Sequence, residues 1–325
     1  MPEHLWKSLL ADKMQEYINI KKIAGFKFEI ERRWMERYDD FCFANGFDAK
    51  RSMCKEVMEE FIYGVEYEKN SVRYCKEKVL SGFAEYLCNL GINAYVCIRK
   101  SMPKTKPKPP YIYSEKELAD FFRAVDCYPS HPLTNRHRVD PLLFRMVYGC
   151  GLRLSEILAL KVNDVDLAQG SLFIRQAKNN KDRLIPMAES LRKQCVEYTK
   201  RMHVFHTDDA IFFPSPQGGK CDKSTIYRRF RDYLWTAGIH HSGHGPRIHD
   251  FRHAYCVHCM KRWVLSGKDL MNLLPYLSAY MGHSDFRGTE YYLRLTADLY
   301  PELIRRTEAV LGRLIPEGAL YEEDE

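Results

Sequence analysis

The sequence predicts a mainly α-helical protein with one small β-sheet, arranged as a helical N-terminal domain followed by an α+β domain. Three observations carry that expectation. Apolar residues recur at three-to-four spacing through most of the first hundred residues, the period of helices that bury one face. A proline- and lysine-rich stretch, RKSMPKTKPKPPYIY from Arg99 to Tyr113, then interrupts the pattern. Beyond it, SLFIRQAKNNKDRLIPM places two β-rich segments on either side of a polar turn, as a hairpin does.

Composition limits what such a chain can be. Its 325 residues, 45% of them hydrophobic, suffice for two cores, and no run of eighteen apolar residues is present to cross a membrane. The opening MPEHLWKSLLADK is amphipathic and lacks an apolar core followed by a small-residue cleavage site, so a cytoplasmic protein is expected. Eleven cysteines, an odd number without framework spacing, suit reduced thiols in that compartment. The net charge of +7 is compatible with a polyanionic partner but too modest to demand one.

In the first domain, helices are expected over Leu5–Lys22, Phe28–Asn45, Lys55–Tyr63 and Ser71–Leu90. In the last of these, Leu80, Phe83, Ala84, Leu87 and Cys88 form the apolar face. Gly25, Gly46 and Gly91 fall where the patterns stop, as C-terminal caps do. Bases and aromatics interleave in FKFEIERRWMERY; a core stripe beside a solvated charged face explains this without a ligand. The prolines of the following stretch remove hydrogen-bond donors and fix the backbone, which marks a linker. The expected organisation is a helical domain over residues 1–102, a linker over 103–112 and a second domain over 113–325.

The second domain opens on a capping box, Ser114 to Glu117, ahead of a helix reaching about Cys127. The nearly continuous apolar run PLLFRMVYGCGLRLSEILALKVNDVDL has no polar face and reads as buried. Within it Arg153 needs a partner, and Glu156, three residues on, is the local one. The hairpin segments are Ser171–Gln176 and Arg183–Met187, with Lys178 and Lys181 on the turn between them. Helices are expected over Glu189–Met202 and Lys223–Ala237. The second carries Arg228, Arg229 and Arg231, surface charges in most proteins and plausible phosphate contacts in a DNA-binding one.

The most informative stretch runs from Arg247 to Tyr292. It contains GPRIHDFRHAYCVHCM, LLPYLSAYMGHSDF and RGTEYYLRL. His249 and Arg252, three apart on a helix, share a face, and an imidazole beside a guanidinium suits a phosphate oxygen better than a metal. His283 follows Gly282, and Tyr292 lies nine residues further on with a hydroxyl able to attack phosphorus. HxxR alone is a weak signal, and its value comes from the groups that precede it.

Read in order, Arg153 in GCGLRLSEILAL, Lys178 ahead of DRLIPM, His249 and Arg252 in HDFRH, His283 in MGHS, and Tyr292 resemble the tyrosine recombinases, the lambda-integrase family. The resemblance covers residues 113 to about 312 and, more loosely, the helical domain and linker. The family often has leucine where Met281 precedes Gly282, and glycine in the turn that here holds Asn179 and Asn180. The second departure leaves Lys181 as the alternative to Lys178, which is favoured by counting back from the RLIPM strand.

Residue chemistry and resemblance together define the expected reaction. Tyr292 would attack a DNA phosphodiester, giving a covalent phosphotyrosine and freeing a sugar hydroxyl. Arg153 and Arg252 would hold the negative charge that grows on the non-bridging oxygens, where other enzymes use a metal. His283 would hydrogen-bond the same oxygens, and His249 could accept the tyrosine proton. Lys178, its pKa lowered by neighbouring arginines, would protonate the leaving oxygen. The resemblance further implies a helical core-binding domain and a catalytic domain clamped on double-stranded DNA, a 3′-phosphotyrosine, and strand exchange in a homo-tetramer. It also implies integration or other recombination of a mobile genetic element, with possible helper recombination proteins and no cofactor, metal or membrane. The helix after Tyr292, PELIRRTEAVLGRLI, has an apolar stripe that suits packing on its own domain or on a neighbouring subunit, and YEEDE reads as a solvated tail.

Two other classes compete. His240, His241 and His244 lie close in sequence to His249, His253, Cys256, His258 and Cys259, a density that suggests zinc; but Cys256 and Cys259 sit in an apolar helix and no HExxH occurs. A non-cleaving DNA-binding accessory protein, or a type IB topoisomerase-like enzyme, would share the fold. The tyrosine and both arginines argue against the inert version, and the short N-terminal domain resembles recombinases more than topoisomerases.

Overall fold

A computed structural model describes residues 4–97, 110–175, 182–204, 207–242, 245–282 and residue 292. Among these residues the fold is mainly α-helical with one three-stranded sheet. The chain divides into two compact units, Met1–Pro107 and Lys108–Glu325. Most of the expected linker lies outside the described residues.

The first unit contains α1 (Ala11–Ile23), α2 (Glu29–Ala44), α3 (Ala49–Ser52), α4 (Lys55–Tyr63) and α5 (Asn70–Asn89). Helix α5 packs against α1, α2 and α4. Its buried face is Val79, Leu80, Phe83, Ala84 and Leu87, whereas Cys88, at the margin of the expected stripe, is exposed. Gly25, Gly46 and Gly91 all have positive φ just past the ends of α1, α2 and α5.

Helix α1 starts at Ala11, later than the pattern from Leu5 suggests. The reason is a carboxylate from α2: buried Asp39 accepts the backbone N–H groups of Lys7 at 2.9 Å and Ser8 at 2.9 Å, and meets His4 Nε2 at 3.1 Å. Those amides are held away from a helical turn. The short α3 has no sequence period of its own and is set by Asp48, whose side chain accepts the Arg51 N–H at 2.7 Å.

The second unit is built around α7 (Arg136–Gly149), which contacts α6 (Glu115–Asp126), α8 (Leu154–Ala159), α9 (Glu189–Met202) and α11 (Ile248–Leu265). Leu142, Leu143, Phe144, Met146 and Val147 of α7 are all buried, as the unbroken apolar run requires. The capping box of α6 forms as expected, with Ser114 and Glu117 exchanging bonds. Strands β1 (Val165–Asp166), β2 (Ser171–Ile174) and β3 (Arg183–Pro186) pair antiparallel in that order, with Ile174 opposite Arg183 and Ser171 opposite Pro186. Strand β1 was not expected, because two residues carry no alternation. A 3-10 turn over Val162–Asp164 and helices α10 (Lys223–Thr236) and α12 (Leu270–Met281) complete the described elements.

One reading of α10 needs correction. Arg229 is not a surface charge available to a phosphate: it is buried, and its Nη1 donates to Asp140 of α7 at 3.0 Å. Tyr233 donates to the same carboxylate at 2.7 Å, and Arg136 donates to Tyr233 Oη at 2.8 Å. A buried carboxylate with this many donors ties α10 to α7. Arg228 and Arg231 remain exposed.

Candidate active site

The start of α11 is fixed first. Asp250, fully buried, accepts the Arg247 backbone N–H at 2.7 Å and pairs with the Arg247 guanidinium at 3.0 Å. This sets where His249, His253 and Arg252 leave the first turns of the helix.

Arg252 is 1% exposed, yet among the described residues no carboxylate hydrogen-bonds it. Its Nη1 donates to the Gly151 carbonyl at 2.6 Å and its Nη2 donates to the Met281 carbonyl. Those carbonyls lie at the C-terminal ends of α7 and α12, where helices leave acceptors unsatisfied and carry partial negative charge. The guanidinium is therefore solvated by two helix ends and keeps its full formal charge. Burial, and then the charge of Arg153, lower its pKa to about 10, still well above neutrality.

Gly151 makes this arrangement possible. It has φ +58°, and a Cβ there would lie 2.8 Å from Met281 Sδ and 3.0 Å from Tyr255 Cδ1. The turn after α7 thus presses against the end of α12 with no room for a side chain.

Arg153, just before α8, reaches the same place. Its Nη2 donates to the Gly282 carbonyl at 3.4 Å and its Nη1 to Glu156 Oε1 at 2.8 Å, so the expected local partner is the real one. A second arginine shares that carboxylate. Arg183 of β3 donates to Glu156 Oε1 at 2.9 Å and Oε2 at 2.8 Å, a bidentate pair. Burial would raise the Glu156 pKa, but Arg183 and Arg153 outweigh it and hold the carboxyl down at about 2.

His249 is exposed to solvent at the surface of α11. The protein packed around its ring, followed by the charges of Arg252 and Arg153, lowers its pKa, which places the imidazole within electrostatic reach of both guanidiniums. His253, one turn on, stands edge-on to His249 with ring centroids 4.8 Å apart. On its other side the His253 ring lies 5.4 Å from that of Tyr292. Tyr292 is 4% exposed and packs in a cluster with Cys256, Met260, Leu274 and Met281, within electrostatic range of Arg252.

Of the residues singled out from sequence, Arg153, His249, Arg252 and Tyr292 are thus brought together around the ends of α7 and α12. Lys178, Lys181, His283 and Tyr291 lie outside the described residues, as do His244 and the segment after Tyr292. Cys256 and Cys259 are buried in α11. Among the described residues, the group of His, Cys, Asp or Glu whose ligand atoms converge is His4, Asp39 and Asp40, in the first unit. Two neighbours of the site were not anticipated in this role. Arg183 had a usable signal, a charge at the head of the apolar strand RLIPM; His253 had only its place inside HDFRH.

Residues 115–298 match the model of the phage integrase family. A putative integrase/recombinase of Sinorhizobium fredii, y4rE, is 29% identical over 294 residues, spanning 89% of this chain and 93% of that protein. The tyrosine recombinase XerC of Oceanobacillus iheyensis is 26% identical over 300 residues, spanning 89% of this chain and 92% of its own. Among solved structures, a lambda integrase dimer bound to a core site aligns with TM-score 0.61 at 14% identity, covering 86% of this chain and 94% of that one. XerH recombinase bound to its difH substrate aligns with TM-score 0.57 at 17% identity, covering 88% and 75%. At such identities these two establish likeness of fold.

Proposed function

The chain belongs to the phage integrase family and is a tyrosine-type site-specific recombinase, and we propose that it cuts and rejoins double-stranded DNA through a 3′-phosphotyrosine at Tyr292. The observation that carries this reading is the meeting of Arg153 and Arg252 at the ends of α7 and α12, with Tyr292 in electrostatic reach of Arg252.

Tyr292 Oη attacks the scissile phosphorus, the P–O5′ bond breaks, and the tyrosine proton passes to His249, whose pKa is lowered by burial and then by the charges of Arg252 and Arg153. Arg153 and Arg252 hold the non-bridging oxygens as charge builds on them, with His283 adding a hydrogen bond. Lys178 gives its proton to the departing 5′ oxygen. The phosphotyrosine conserves the bond energy, so a 5′ hydroxyl of another strand reseals the backbone without ATP, and these cations fill the electrostatic role that a metal plays in other nucleases.

The unit over residues 1–102 clamps the duplex together with the catalytic unit over 113–325. Four copies assemble for strand exchange, with helper recombination proteins as further partners. The setting is a mobile genetic element in the cytoplasm; no described helix is long and apolar enough to cross a membrane.

The test is covalent trapping. Wild-type protein incubated with its flanking genomic DNA in excess EDTA should yield protein–DNA adducts that sequencing maps to one site. Adducts that vanish on chelation and return with a divalent ion would overturn the mechanism.

A further inference from the structure

The Glu156 carboxylate poses a problem for the reaction proposed above. Standing alone beside Arg153, it would cancel the charge that Arg153 brings to the phosphate, and the salt bridge at 2.8 Å would compete with DNA for the guanidinium. Arg183 answers this. It contacts both oxygens of the same carboxylate, at 2.9 and 2.8 Å, from a side chain that is 9% exposed. Two guanidiniums and one carboxylate leave the trio with one net positive charge.

Arg183 also spans three elements. It stands at the head of β3, its fork reaches Glu156 on α8, and its Nε donates to the Tyr280 carbonyl in α12 at 3.1 Å. Its shaft passes so close to Gly282 that a Cβ there would lie 3.1 Å from Arg183 Cδ. Gly282 has φ +65° and supplies the carbonyl that Arg153 also contacts.

We propose that Arg183 is a positioning residue for strand cleavage: by taking up the charge of Glu156 it leaves Arg153 a net positive charge for the scissile phosphate, and it braces the end of α12 against β3. This rests on the recombinase mechanism proposed above. Arg183 itself does not touch DNA. Its effect is therefore on the rate of cleavage of bound DNA and not on the affinity for DNA.

The experiment compares single-turnover adduct formation at saturating DNA, with DNA affinity and a thermal melt recorded for each variant. Wild-type adduct formation tests the mechanism; the variants, scored relative to wild type, test Arg183. Arg183→Gln should slow cleavage about tenfold to a hundredfold, as loss of a group that orients a first contact does, with affinity changed by less than about threefold. Adding Glu156→Gln removes the charge that Arg183 offsets, so the double variant should cleave faster than Arg183→Gln alone. Arg183→Lys keeps the charge but neither the two-pronged fork on Glu156 nor the Nε donor to Tyr280, so its rate should fall between those of wild type and Arg183→Gln. A double variant no faster than the single one, or a loss carried wholly by affinity, overturns the proposal. If Arg183→Gln does not fold, the lysine variant decides: cleavage slowed by about threefold or more at unchanged affinity supports the positioning role, and a wild-type rate, or a loss carried wholly by affinity, overturns it.

Discussion

The imidazole of His253 lies against the phenol of Tyr292, with ring centroids 5.4 Å apart and planes tilted by 49°. Burial first, then His249, push the His253 pKa down to about 4, with Arg247 and Arg252 acting in the same direction and Asp250 against it. Its Nδ1 has no hydrogen-bond partner among the described residues. A neutral ring therefore backs Tyr292. The unfolded chain takes up this proton near pH 6.5, while the folded state resists until about pH 4. Stability should accordingly fall as the pH drops through that window, by at most on the order of 3 kcal/mol from this group. Urea unfolding of His253→Gln between pH 7 and 4 should show a shallower decline than wild type; parallel curves would mean that the imidazole is not held neutral.

Gly151 and Met281 make a second, steric prediction. Alanine at 151 would meet Met281 Sδ at 2.8 Å and would have to adopt φ +58°. Both costs act at the turn whose carbonyl holds Arg252. Gly151→Ala should destabilise the protein by about 1–3 kcal/mol in urea titrations. It should also slow cleavage, because moving either carbonyl moves the guanidinium. Unchanged stability with unchanged cleavage would show that the contact is slack.

What the sequence made legible was what lies close in the chain. The face Leu80, Phe83, Ala84 and Leu87 follows from period alone, and Glu156 was found as the partner of Arg153 because three residues on a helix separate them. Long-range polar bonds escaped. Asp39 takes the amides that would have opened α1 at Leu5, from 32 and 31 residues away. Asp140 buries Arg229 from 89 residues away, and Arg183 reaches Glu156 across 27. Each of these arginines looks like an ordinary surface charge until a distant carboxylate is brought to it, since no local period encodes such a pair. Candidate site residues could be singled out because the signal lies in residue type and spacing. That Arg252 is held by carbonyls of two helix ends was not, because every residue has a carbonyl.

A third prediction concerns the leaving oxygen. If Lys178 protonates it, Lys178→Ala should block cleavage of ordinary DNA yet spare a substrate carrying sulfur at the 5′-bridging position, because a thiolate leaves without an acid. Equal impairment on both substrates would remove Lys178 from that role. The same selective rescue in Lys181→Ala would transfer it to Lys181.

The last prediction separates two adjacent tyrosines. On a helix, Tyr291 and Tyr292 would diverge by roughly 100°, so one phosphate held by Arg153 and Arg252 can be reached by only one of them. Tyr292 has its ring beside His253 and its phenol in the field of Arg252. Phenylalanine at 292 deletes only the hydroxyl and keeps the packing against Cys256, Leu274 and Met281. Folding and DNA affinity should therefore persist while the covalent complex disappears. Tyr291→Phe should leave cleavage largely intact. Peptide mapping of the adduct decides between them: a DNA-linked phosphotyrosine at 291 in the Tyr292→Phe protein would move the nucleophile by one residue and with it the geometry of attack.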